Sequence, residues 1–324
     1  MKKLNVLYST DSNYATHAAA SIYSLLYNNK IFDEIDVYII DDNISEDVKN
    51  KFGELVSGFP NAKLIFYPFE KLQPKLKINE TWFAMVGYAR LMLSEITDED
   101  KILYIDCDTI VNRSLEELWN TDMSGYCVAG VQDNPALYAL EAVGMNRNDR
   151  YINSGVMLIN LKLWKEKKVE EKIIQMIKEH NGFVLHHDQG IINGVCKNSI
   201  KILHPKYNTM SQFFSLKAKQ IKSLYDINNY YTQEELDEAV SNPVIVHYIN
   251  KFFNRPWIKS CSHPMKNLYI ENLEKTPFEV ELKDGKQKYT VRIRKFIFEH
   301  SPFFIYALSE RILNIRRKAK AKRQ

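Results

Sequence analysis

The sequence predicts an α/β fold with a largely parallel central sheet. Two observations carry this reading: short apolar strands alternate with amphipathic helices over the first hundred residues, and polar clusters follow the first and fourth strands. In open α/β sheets ligands gather at the carboxyl ends of strands. The chain has 324 residues, 45% hydrophobic and 26% charged, so it is neither disordered nor fibrous.

Residues 4–9 (LNVLYS) read as a buried strand, closed by the turn-like Thr10-Asp11-Ser12-Asn13. Residues 14–27 place Ala18, Ile22, Leu25 and Leu26 on one helical face. Residues 34–40 form a second strand. Ser45 then caps a helix to about Leu55, with Glu46 and Asp47 in its first turn where the helix dipole favours acids. Residues 62–67 form a third strand, 81–96 a helix and 101–105 (KILYI) a fourth strand. Beyond Trp119 the pattern is less regular. Strands are expected at 126–131, 156–161 and 243–246, with helices at about 169–180 and after Asp188. Residues 276–296 read as a hairpin around Asp284-Gly285. Ser301-Pro302 opens a last helix. The expected division is a catalytic domain over 1–275 and a C-terminal extension over 276–324.

Charge is unevenly placed. Residues 311–324 carry seven Lys or Arg and no acid, more than the net +4 of the whole chain, so the body is mildly acidic. That argues against a nucleic-acid-binding surface. The four cysteines (Cys107, Cys127, Cys196, Cys261) form no CxxC pair, which fits a reducing compartment. No signal peptide is legible at the start, and no apolar run reaches membrane-spanning length. The expected location is cytoplasmic.

The sharpest local feature is Tyr104-Ile105-Asp106-Cys107-Asp108-Thr109. Side chains alternate along a strand, so Asp106 and Asp108 point the same way while Cys107 points back. Two hard oxygen ligands on one side suit Mn2+ or Mg2+, with phosphate oxygens completing the shell. His247, after an apolar strand, is a third candidate ligand, and Lys251 and Arg255 follow as diphosphate candidates. The acids and the histidine have plainer readings, as solvated loop acids and a structural histidine.

Seven segments in order, VLYSTDSNYATHAAASIYSLL, YARLMLSE, KILYIDCDTIVNRSLEELW, YINSGVMLINLKLW, HHDQGIIN, HPKYN and HYINKFFNRPW, resemble the retaining glycosyltransferases of family 8, the group of glycogenin and the bacterial lipopolysaccharide glucosyl- and galactosyltransferases. The resemblance runs over roughly residues 4–260. It implies the GT-A nucleotide-sugar-binding fold and transfer of glucose or galactose from UDP-glucose or UDP-galactose to a hydroxyl of a glycan, glycolipid or glycoprotein. On matching positions it implies Ser9, Asp11, Asn13 and Tyr14 around the nucleoside and Arg90 at the donor's phosphate or sugar. It implies Asp106, Asp108 and His247 as Mn2+ ligands, with Mg2+ the alternative. Asn153, Asp188, Gln189 and Asp133 fall around the transferred sugar and acceptor. One departure stands in HYINKFFNRPW: Asn250 replaces the family's usual glycine, and Arg255 stands where lysine is usual, so Lys251 and Arg255 compete for the diphosphate. A catalytically silent nucleotide-sugar-binding scaffold is the alternative reading, and a self-glucosylating priming protein a third. In the last helix Ile305, Leu308, Ile312 and Ile315 form a stripe near Phe303, Phe304 and Tyr306. Residues 302–324 therefore read either as a dock for an anionic membrane surface at the inner face of the cell membrane or as a helix packed on the domain.

Overall fold

Strand β1 (Lys3–Asp11) sends Leu4, Val6 and Tyr8 into one apolar cluster and Leu7 into another, on the opposite side of the sheet. The computed structural model describes residues 1–79, 85–249, 252–285 and 289–321. Helix α1 (Ala15–Asn28) leads to β2 (Glu34–Asp42), and α2 (Glu46–Ser57) to β3 (Ala62–Pro68). Ser45 caps α2 as expected, its hydroxyl accepting from Val48 N at 3.4 Å. Then come β4 (Lys101–Ile105), β5 (Thr109–Val111), α3 (Glu116–Trp119), β6 (Val128–Gln132), α4 (Leu137–Ala142) and β7 (Ile152–Asn160). Helices α5 (Leu161–Glu166), α6 (Val169–Glu179) and α7 (His187–Cys196) precede β8 (Ile200–Ile202) and β9 (Thr209–Met210). The chain continues through α8 (Ala218–Tyr225), α9 (Gln233–Ser241), β10 (Ile245–His247), α10 (Lys266–Leu273), α11 (Tyr289–His300) and α12 (Phe303–Ala321).

Seven strands pair in the order β3-β2-β1-β4-β7-β6-β8. All neighbours are parallel except β7, which runs against both β4 and β6. The fold is thus α/β with a mostly parallel sheet, as the element pattern predicts. The reversal of β7 matters for the site, because it brings the beginning of β7 beside the end of β4. Ile105 pairs with Val156, and Asp106 N donates to Gly155 O at 2.7 Å. A small second sheet, β5-β10-β9, pairs His247 with Thr109 and so delivers the imidazole to the acids that follow β4.

Two expectations are corrected. The helix expected over 81–96 is instead two 3-10 segments, Met85–Leu91 and Leu93–Glu95, with 81–84 outside the described residues. Val86 through Leu91 are all buried, so the run has no polar face to give solvent and serves as a tight connector. The hairpin expected over 276–296 is not formed: its second arm lies in α11, while residues 286–288 lie outside the description. A lone two-stranded ribbon is marginal in water. The helix instead packs Phe298 on Phe252 and Tyr306, at ring-centroid distances of 4.6 and 5.1 Å.

Helix α12 packs on the body through the buried Tyr306, Ala307 and Glu310, and Glu310 makes a bidentate pair with Arg294 of α11 at 2.5 and 2.6 Å. The stripe Ile305, Leu308, Ile312 and Ile315 faces outward, with Phe304 and, on α11, Tyr289, Ile293 and Phe296.

Candidate active site

The acids after β4 are held in different ways. Asp106 Oδ1 accepts from Tyr104 Oη at 2.9 Å and pairs with Arg90 Nη2 at 2.8 Å. Arg90 is buried, stacked over the Tyr104 ring at 4.0 Å, and bonded to Gly87 O and Ser154 O. Its Nε lies 3.4 Å from Asp188 Oδ2, so one guanidinium spans both acids. Burial opposes its charge, but Asp106, Tyr104 and Asp188 together raise its pKa further. Asp108, also buried, lies 3.2 Å from His247 Nε2 through Oδ1 and ion-pairs with Arg255 Nη1 through Oδ2. Burial disfavours its charge, yet Arg255 and His247 hold its carboxyl well below the usual carboxylate range. Cys107 points back as alternation requires, its Sγ donating to Ser9 O at 3.2 Å.

Asp106, Asp108 and His247 offer ligand atoms that all lie within 4.8 Å of one another. Two carboxylates and one imidazole form a donor set suited to Mn2+ or Mg2+. His247 Nδ1 bonds Asn208 Oδ1 at 2.9 Å, which fixes the ring and leaves Nε2 toward the acids. Gly155 supplies the space: a Cβ there would press on His247 Cε1 and lie 2.5 Å from Asp106 Oδ2. The residues present therefore fit a divalent cation. Asn208, Ser154 and Gly155 were not picked out individually by sequence, although each lies within a quoted segment. Gly155 had a usable signal, since a glycine inside an apolar strand marks a close approach.

The amino ends of β7 and α7 meet in a polar network beside this cluster. Gln189 Oε1 accepts from Asn153 Nδ2 and Ser154 N, both at 3.1 Å, while its Nε2 donates to Asp133 Oδ2 at 3.2 Å. Asn153 Oδ1 accepts from Gly155 N and Asn208 Nδ2 at 3.0 and 2.9 Å. Ser154 Oγ donates to Asp188 Oδ2 at 2.9 Å. Burial raises the Asp188 pKa, and Arg90 opposes the shift. Asp133, Asn153 and Gln189 line a cavity of about 370 Å3, together with Met210, Gln212, Tyr225 and Ile249. That volume is in the range of small-ligand pockets, about 300–1,000 Å3.

On the other side of the metal cluster, the end of β1 turns through Asp11, Asn13 and Tyr14. Asp11 Oδ1 accepts from Tyr14 N at 2.9 Å and Oδ2 from Asn13 Nδ2 at 3.2 Å, so the carboxylate already closes its own turn. Ser9 is buried, and its Oγ has no partner among the described residues. Tyr14 is 44% exposed and edge-on to Trp257 at 6.1 Å, which leaves ring surface free. The structure thus brings Asp106, Asp108, His247, Arg90, Arg255, Asp188, Gln189, Asn153 and Asp133 into one region, with Ser9, Asp11, Asn13 and Tyr14 at its rim. Lys251 and Asn250 lie outside the described residues.

Comparison with known proteins follows this geometry. Residues 5–261 match glycosyl transferase family 8. A putative glycosyltransferase of Haemophilus influenzae is 31% identical over 278 residues, 83% of this chain and 77% of that protein. A lipopolysaccharide 1,2-glucosyltransferase of Escherichia coli K12 is 24% identical over 307 residues, 92% of this chain and 86% of its own. Among solved structures, the galactosyltransferase LgtC in complex with donor and acceptor sugar analogs superposes with a TM-score of 0.68 at 24% identity, covering 85% of this chain and 97% of that one. That likeness speaks for a shared GT-A fold.

Proposed function

Because the chain belongs to glycosyl transferase family 8 and is a glycosyltransferase by that membership, we propose that it moves glucose or galactose from a UDP-sugar, with retention, to a hydroxyl of a saccharide, glycolipid or glycoprotein. The observation that carries the reading is the juxtaposition of an Asp106–Asp108–His247 cation site with a polar cavity lined by Asp133, Asn153 and Gln189. Held by Asp106, Asp108 and His247, Mn2+ or Mg2+ would neutralise the charge that develops on the departing diphosphate.

The chain's own groups favour a front-face route over a double displacement. Retention through a covalent intermediate needs a free carboxylate beside the anomeric carbon. Asp188 is buried and tied to Ser154 Oγ and Arg90. Asp133 Oδ2 accepts from Gln189 and Asn153, and its Oδ1 from Asn134 N at 2.7 Å. Gln189, as an amide, is a poor nucleophile; held at both ends, it is a fixed dipole beside the cationic ring. The acceptor then attacks from the face the diphosphate leaves, and a phosphate oxygen takes its proton. Asp188 keeps Arg90 and Ser154 in register, and Asn153 aims Gln189. Ser9, Asp11, Asn13 and Tyr14 receive the nucleoside, Tyr14 as the stacking surface, and Arg255 or Lys251 faces the diphosphate.

The exposed aromatic and aliphatic face of α11 and α12, interspersed with Arg292, Arg311, Arg316 and Lys318, supports peripheral attachment to an anionic surface, at the inner face of the cell membrane. A lipid-linked glycan is the acceptor class that fits such a placement.

The test is release of UDP from UDP-glucose and UDP-galactose, with Mn2+ and Mg2+ supplied separately. Turnover of one donor is expected, and Asp108→Asn should lower it by roughly 100-fold or more. Asp108 is the better acid to change, because Asn at position 106 would remove one of the two carboxylates that compensate the buried Arg90. The Arg255–Asp108 ion pair gives some weight to a silent scaffold. Binding of UDP without turnover of either donor, free or with saccharide acceptors, would decide for that reading.

A further inference from the structure

The two acids of the cation site have unlike partners: Arg90 on Asp106 and Arg255 on Asp108. Asp106 has a permanent one: Arg90 is buried, layered on Tyr104 and bonded to two backbone carbonyls, so it has nowhere to go. Asp108 is paired with Arg255, which stands on the loop after β10. The Arg255 side chain is 26% exposed. Among the described residues its other hydrogen bond is to one carbonyl, Tyr248 O, and its guanidinium lies 5.7 Å from the Trp257 ring centroid. We propose that Arg255 is an exchangeable counter-ion: it sits on Asp108 when no metal is bound and moves to the donor diphosphate when metal and donor arrive.

The reasoning is electrostatic and rests on the metal–diphosphate reading above. Asp108 is buried, and an uncompensated buried carboxylate is costly. Arg255 removes that cost through the oxygen Oδ2, while His247 faces Oδ1. A divalent cation held by Asp106, Asp108 and His247 would lie against the same carboxylate, and like charges at that range repel. The guanidinium therefore leaves Asp108. A planar fork of donors then finds its best new partner in phosphate oxygens, which it can hold bidentately. A lysine in its place would be a point charge without that fork. Two linked equilibria follow: the empty protein resists metal, and a nucleoside diphosphate raises metal affinity by giving Arg255 somewhere to go. Linkage makes the effect reciprocal.

The experiment titrates the full chain with Mn2+, reading unbound Mn2+ by electron paramagnetic resonance, with and without UDP, for the unaltered protein and for Arg255→Gln. Without UDP, R255Q should bind Mn2+ about tenfold more tightly, equivalent to about 1.4 kcal/mol. UDP should then tighten Mn2+ binding far more in the unaltered protein than in R255Q. A gain in affinity is an outcome that general structural damage does not produce. Arg255→Lys, which keeps the charge but not the fork, should fall between the two and serves if R255Q folds poorly. Equal or weaker Mn2+ binding by both variants without UDP overturns the exchange while leaving the metal site standing. Absence of Mn2+ binding in every protein, with or without UDP, overturns the metal assignment and the exchange together.

Discussion

Gly155 shows how little space the cation site has to spare. It is the residue of β7 that faces Asp106 across the β4–β7 ladder, and a single methyl group there would collide with both His247 and Asp106. Gly155→Ala is therefore expected to weaken Mn2+ binding by roughly 10–100-fold, the range seen when the support of a metal ligand is disturbed. Direct Mn2+ titration checks this, and an unchanged affinity would mean the glycine serves only the strand. Much of the site was legible at this scale. Alternation along an apolar strand put Asp106 and Asp108 on one side and Cys107 on the other, and the structure agrees. The supporting groups were harder to assign, because Asn208 and Ser154 act through contacts 39 and 34 residues away along the chain. No local pattern records such a partner.

Among the elements, helix α1 is docked by an unusual residue. His17 stacks on Trp257 at 3.6 Å between ring centroids and its Nδ1 meets Tyr269 Oη of α10 at 2.6 Å. Burial drives its pKa down to about 3 from an ordinary 6.5. The unfolded chain therefore takes up this proton first, so the contribution of His17 is whole above about pH 6.5 and shrinks as pH falls toward about 3. Denaturant unfolding at pH 7 and pH 5 should show the unaltered protein losing about 2 kcal/mol more than His17→Gln over that interval. Equal losses would place the acid sensitivity elsewhere. The strand–helix order of the first half was readable because buried strands and amphipathic helices leave clear periodicities. The two misread segments share a cause. Residues 86–91 and 289–300 take their form from what they pack on: the first run is buried throughout, and the other is ordered by Phe298 against Phe252 and Tyr306. Propensity is silent about such partners.

For the whole molecule, charge and apolar surface are divided between the body and the C-terminal helices. The cation site lies in a mildly acidic body, whereas α11 and α12 expose Tyr289, Phe296, Phe304, Leu308 and Ile315 beside basic residues. No helix among the described residues is long and apolar enough to cross a membrane. Replacing Phe304, Leu308, Ile312 and Ile315 together by serine should reduce co-sedimentation with phosphatidylglycerol-containing vesicles at least several-fold while UDP release in solution stays unchanged, since all four side chains are exposed. Undiminished sedimentation would dismiss this face as the attachment surface. The same helices have a second face with a different significance. Phe252, on the loop that bears Arg255, rests on Phe298 and lies 6.1 Å from Tyr306. The segment matched by the family ends at residue 261. The floor beneath the loop is thus laid by residues outside that segment, and a chain cut back to the matched part would lose the seat of the loop that carries Arg255. A truncation at that boundary would therefore disturb Arg255 through its support while leaving every residue of the matched segment in the chain.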